Sequence, residues 1–189
     1  MSSGSGSASD PHTTTADAAF AAALLPSRSL LFYTLTATIP IIAITVALLF
    51  LRLGKQWLIL LSILGAAVSA VALGRILMDL TMDIAGYPDY KLPVWAVFYL
   101  IIYVTVFFMF VYFAMHLAAP GVYFGGLSES NPRVAFVDSL YMSLANYINA
   151  APDPTVVVRG QTARYLAVLQ GFLSMFINVV IITKFVNSF

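Results

Sequence analysis

Four intervals of this chain run uncharged for about the thickness of a bilayer, and a fifth apolar piece, beside the last of them, is too short to do so. The long ones lie between Arg28 and Arg52, Lys55 and Arg75, Lys91 and Glu129, and Arg164 and Lys184. As a helix rising ~1.5 Å per residue, the last covers ~28 Å, close to the hydrocarbon core of a membrane. The short piece, Asp138 to Asn149, makes about three helical turns, the length of a re-entrant or interfacial helix. It stops at Ala150-Ala151-Pro152-Asp153-Pro154, because proline has no N–H to donate and its ring blocks the preceding turn. A half-helix, then extended backbone, then a full span is a pore-loop pattern. The sequence predicts an all-α integral membrane fold with four transmembrane helices and one re-entrant half-helix.

Composition agrees with a bilayer as partner. Hydrophobic residues make up 61% of the 189-residue chain and charged ones 9%, against about 45–50% and about 25% in soluble domains. A formal charge of +1 argues against nucleic acid as a partner. The absence of cysteine excludes disulfides, thiolate metal sites and cysteine nucleophiles. No glycine-rich phosphate loop, HExxH motif or serine–histidine–carboxylate set is present, so neither an enzyme nor a cofactor is expected.

Residues 1–27 form an N-terminal tail, Ser/Gly/Thr-rich and expected to be disordered, with a surface helix at most over Ala18–Leu25. Residues 28–91 are expected to form a two-helix hairpin: Leu30–Leu51, with Pro40 inside it, a tight turn at Arg52-Leu53-Gly54-Lys55, and Gln56–Gly74. Gly65, Ala66, Ser69, Ala70 and Gly74 give the second helix a face on which a neighbour can approach closely. Beyond it Asp79 and Asp83 sit four apart, with Arg75 four before Asp79, a spacing that could bind a cation or, as the plainer reading, make an ion-paired, water-exposed end of the second helix. Residues 92–189 complete the chain: a span from Leu92 to Ala119 with Tyr99, Tyr103 and Phe107 striped along one side, a loop from Pro120 to Pro132, the half-helix region opened by Arg133, and the last span. His116, in the third span's last turn, suits the negative end of the helix dipole and lacks a second metal ligand nearby.

Phe136-Val137-Asp138-Ser139-Leu140-Tyr141-Met142-Ser143-Leu144 resembles the pore helix of the bacterial two-transmembrane potassium-channel pore domain, and Ala163 to Gly171 resembles the start of that family's inner helix. The likeness extends over roughly Tyr112 to Val186. It implies a homotetramer in a prokaryotic plasma membrane, with monovalent cations as permeant partners. Laid on the family without gaps, the filter motif threonine-valine-glycine-tyrosine-glycine falls on Asn149, Ala150, Ala151, Pro152 and Asp153, none of them glycine.

That departure has a physical consequence. A ring of inward carbonyls alternates ordinary and left-handed conformations and needs glycine; alanine or aspartate there costs about 1–2 kcal/mol each, and proline cannot enter at all. The expected constriction is therefore wider and lined by Asn149 and Asp153 side chains, giving a weakly selective cation pore. The alternative is a non-conducting accessory or structural subunit that keeps the scaffold. In the last span Gln170, Ser174 and Asn178 recur every four residues, a polar face that either lines an aqueous pathway or bonds to a neighbouring helix.

Overall fold

A computed structural model describes residues 28–86, 94–148 and 156–186. The described residues form five helices: α1 (Arg28–Phe50), α2 (Lys55–Gly86), α3 (Val94–Ala118), α4 (Pro132–Tyr147) and α5 (Gln161–Val186), with two-residue strands β1 (Phe124–Gly125) and β2 (Val157–Val158). α2, over Lys55–Met78, and α3, over Val97–Ala118, are long and apolar enough to cross a membrane; α1 offers a shorter apolar stretch, Thr34–Phe50. The tail, the loop carrying Asp89 and all five filter positions lie outside the described residues, as do the side chains of Asp79 and Asp83.

Helix boundaries follow local chemistry. α1 continues through Pro40, and α2 continues past Gly74 and Arg75 to Gly86, so the charged segment extends the second helix as expected. The half-helix differs from its expected bounds. It begins at Pro132, six residues before Asp138, because Asn131 caps it, its Oδ1 accepting from the Arg133 N–H at 3.0 Å, and proline at the first helical position forfeits an N–H that has no partner anyway. It ends at Tyr147, two residues before Asn149. At 16 residues it is ~24 Å long.

α3 is the central helix, packed on α2 along one side and on α4 and α5 along the other. Phe108, Phe110, Tyr112 and Phe113 are all but inaccessible. Against α2 the approach is close. Gly65 lies under the ring of Phe110, where a Cβ would come within 2.7 Å of the ring. The observed contact face of α2 is Leu58, Ser62, Gly65, Ser69, Ala72 and Ile76, buried at three- and four-residue intervals. Of the expected small-residue face, Gly65 and Ser69 are in the seam while Ala70 and Gly74 are exposed, because the seam follows Phe110. Tyr103 ties α3 to α1, its hydroxyl donating to the Thr34 carbonyl at 2.9 Å, and Tyr99 stacks on it at 6.2 Å.

The outward faces are apolar. Leu35, Ile39, Ile42, Val46 and Phe50 are exposed along α1, and Trp57, Leu60, Leu64 and Val71 along α2.

β1 and β2 pair antiparallel, Phe124 opposite Val158 and Gly125 opposite Val157. The chain that leaves β1, runs down α4 and passes the filter positions thus returns to its starting point. The Arg159 and Gly160 N–H groups extend the pairing onto the Tyr123 carbonyl. The Arg159 guanidinium lies so close over Gly125 that a Cβ there would meet Nε at 2.6 Å.

Candidate functional site at the half-helix

Three helices bring polar stripes to one buried seam. α3 supplies Thr105 and Tyr112, two turns apart; α4 supplies Ser139, Ser143, Asn146 and Tyr147; α5 supplies Gln170, Ser174 and Asn178. Each stripe follows helical spacing, so each helix must be rotated to aim it inward. Nothing polar is left over for an outward face of α5 at this depth.

The proton directions follow from chemistry. Backbone carbonyls only accept. The Ser143 hydroxyl therefore donates to the Thr105 carbonyl at 2.8 Å. Its oxygen is then an acceptor for Gln170 Nε2 at 2.9 Å, and the same amide nitrogen donates to the Ser143 carbonyl at 2.8 Å. This fixes the amide's orientation. Gln170 Oε1 faces the other way and accepts from the Tyr112 hydroxyl at 2.8 Å, whose oxygen is within reach of Asn146 Nδ2 at 3.4 Å. Donation runs in one sense from Asn146 through Tyr112, Gln170 and Ser143 to the Thr105 carbonyl. Nearer the C-terminal end of α4, the Tyr147 hydroxyl donates to Asn178 Oδ1 at 3.2 Å.

Burial raises the stakes. Gln170, Ser174, Ser139 and Ser143 have no exposed surface, and each buried polar group left unpaired costs about 1–3 kcal/mol. Ser174 and Ser139 pair within their own helices, on the carbonyls of Gln170 and Ala135. Of the two uses open to the α5 polar face, the side chains make the second: Gln170 and Asn178 bond to neighbouring helices, and Gln170 and Ser174 touch no aqueous surface. The Thr105 hydroxyl and His116 Nδ1 are buried with no partner among the described residues.

His116 does more than face a helix dipole. It is buried, and its Nε2 donates to the Ser128 carbonyl at 3.1 Å, tying the end of α3 to the loop that leads into α4. No group of three or more potential metal ligands occurs among the described residues.

Asn149, Ala150, Ala151, Pro152 and Asp153 lie outside the described residues, but both flanks are placed. Ile148 closes the last turn of α4, its N–H on the Leu144 carbonyl at 3.1 Å, and Val156 is buried just before β2. The last turn of α4 carries the negative end of its helix dipole.

Comparison with protein-family models, with curated proteins and with solved structures returns no match.

Sequence reasoning found Gln170, Ser174 and Asn178 by their spacing but missed Tyr112, Ser143 and Thr105. A signal existed. Ser139 and Ser143 are four apart on a helix whose other face carries Val137, Leu140, Tyr141 and Leu144, all exposed, so the two serines mark its inward side.

Proposed function

We propose that this chain is an integral membrane protein with α1, α2, α3 and α5 as spans and α4 as a re-entrant half-helix. Four copies surround a weakly selective cation pathway related to the potassium-channel pore domain. The observation that carries the reading is the β1–β2 pairing, which brackets α4 so that the chain enters and returns at one point. A span would instead deliver its two ends to opposite faces.

Two further features support it. The negative end of the α4 dipole favours a cation near residues 149–153. α5 makes few contacts inside the subunit and carries Tyr165, Leu169, Phe172, Phe176 and Val179 exposed along one side, a surface that other copies of the chain would cover. Without carbonyl rings an ion keeps most of its water, so potassium and sodium are poorly distinguished, while an Asp153 ring selects by charge and Asn149 amides line the passage below.

A second reading, a non-conducting accessory or structural subunit, is favoured by one observation: the α5 polar residues are consumed inside the subunit and leave an apolar inner surface. Currents from purified protein in planar bilayers separate the two. The channel reading expects cation current with little potassium preference. Asp153→Asn should lower cation-over-anion preference, and Asn149→Ala should alter conductance more than charge preference. Strong potassium selectivity overturns the filter argument; silence at every voltage and pH selects the accessory reading.

A further inference from the structure

The turn between α1 and α2 meets the first turn of α4 at a cavity of about 470 Å3. Leu48 and Leu58, both buried, line its inner side, and the exposed Arg52 and Arg133 line its solvent side. No carboxylate lines it. Arg133 is held in place, its Nη2 donating to the Phe50 carbonyl at 3.4 Å, which also puts a cation at the C-terminal end of α1 where the dipole favours one. Phe50, at 71% exposure, and Trp57, at 63% and next to Leu58, stand beside it.

An apolar inner side beneath two guanidinium groups complements a phosphate ester carrying hydrocarbon. Arginine's planar fork matches phosphate oxygens in pairs. Free phosphate would leave the leucines unmatched, and a choline headgroup would bring a third positive charge to the solvent side. Indole side chains such as Trp57 settle at headgroup depth. We propose that this cavity holds the phosphate of an anionic phospholipid, with Arg52 and Arg133 on the phosphate oxygens and Leu48 and Leu58 against the glycerol and upper acyl chain. The site rests on the membrane reading above and is independent of conduction.

The test uses Trp57 fluorescence in full-length protein carrying Trp95→Phe, reconstituted in phosphatidylcholine vesicles with rising fractions of brominated phosphatidylglycerol or brominated phosphatidylcholine. Quenching by the anionic lipid should be half-complete at a lower fraction, by about fivefold for each arginine engaged. Arg52→Gln and Arg133→Gln should each remove part of that preference and together abolish it, while Arg164→Gln leaves it intact. An unchanged preference in the double variant overturns the site. Displacement of the brominated anionic lipid by millimolar inorganic phosphate assigns the cavity to a free anion and overturns the lipid. Quenching by neither lipid overturns the membrane reading and this site with it, whereas equal quenching by both overturns the site alone.

Discussion

On the α2 side of α3, Ser62 and Ser69 turn back onto their own helix; on the α4–α5 side, Ser139 and Ser174 do the same while Ser143 and Gln170 reach across to other helices. Ser62 donates to the Leu58 carbonyl at 2.6 Å and Ser69 to the Gly65 carbonyl at 2.8 Å, so α3 meets only their small volume. Ser143 and Gln170 instead join three helices. The first interface is held by shape, which matters in a bilayer because lipid tails are as apolar as leucine and give helices no hydrophobic reason to associate. The second is held by directed bonds in a place with no water to substitute for them. One should tolerate loss of polarity and resist added volume; the other should do the reverse.

The largest effect is expected at Gln170. Gln170→Leu strands the Tyr112 hydroxyl as a donor and removes both cross-helix bonds to Ser143, a loss of about 3 kcal/mol at ~1–3 kcal/mol for the orphaned hydroxyl and ~1 kcal/mol for each lost bond, measured by denaturant unfolding in detergent. Gln170→Glu sharpens the point: ionised at high pH it keeps the acceptor for Tyr112 but has no donor for Ser143 and buries a charge, so it should fail nearly as badly there, while at low pH the protonated carboxyl can donate to Ser143 and part of the loss should be recovered. Gly65→Val, which drives a side chain into the Phe110 ring, should cost about 1–3 kcal/mol. Phe110→Leu should recover part of that in a double-mutant cycle, with a coupling of at least ~0.5 kcal/mol. The smallest effects make the cleanest pair. Ser143→Ala should cost about 1–2 kcal/mol, while Ser69→Ala, deleting a hydroxyl that bonds only its own helix, should change stability by less than about 0.5 kcal/mol. Equal costs for the two serines would break the contrast.

The helices were legible because charge marks their limits: Arg28, Arg52, Lys55 and Arg164 stand within three residues of an observed helix end. Arg133, expected to open the helix region, stands one residue after the observed start of α4, whereas the half-helix expected from Asp138 is too short, because Asn131-Pro132, an N-cap and a first-turn proline, is equally a pair that ends a loop. Polar spacing on α5 named a face but not its partner. The partner depends on how α3 and α4 are rotated, which Tyr112 and Ser143 decide together and neither reveals alone. The small-residue face of α2 was half right for a related reason: Gly65 and Ser69 fit two neighbouring stripes, and the Phe110 ring selects the one containing Ser62. For the filter segment, the residues themselves exclude a carbonyl ring on the gapless overlay, since Ala151 and Asp153 stand where such a ring requires glycine and Pro152 lies between them.

The central claim is that α4 enters the membrane and returns on the same side. The chain has no cysteine, so single cysteines introduced at the exposed positions Ser130 and Thr162, before and after the loop, report without background. In sealed vesicles of one orientation, an impermeant thiol reagent should label both from the same side, together with Gly54→Cys in the α1–α2 turn. Labelling of Ser130→Cys and Thr162→Cys from opposite sides would contradict re-entry and the pore reading built on it.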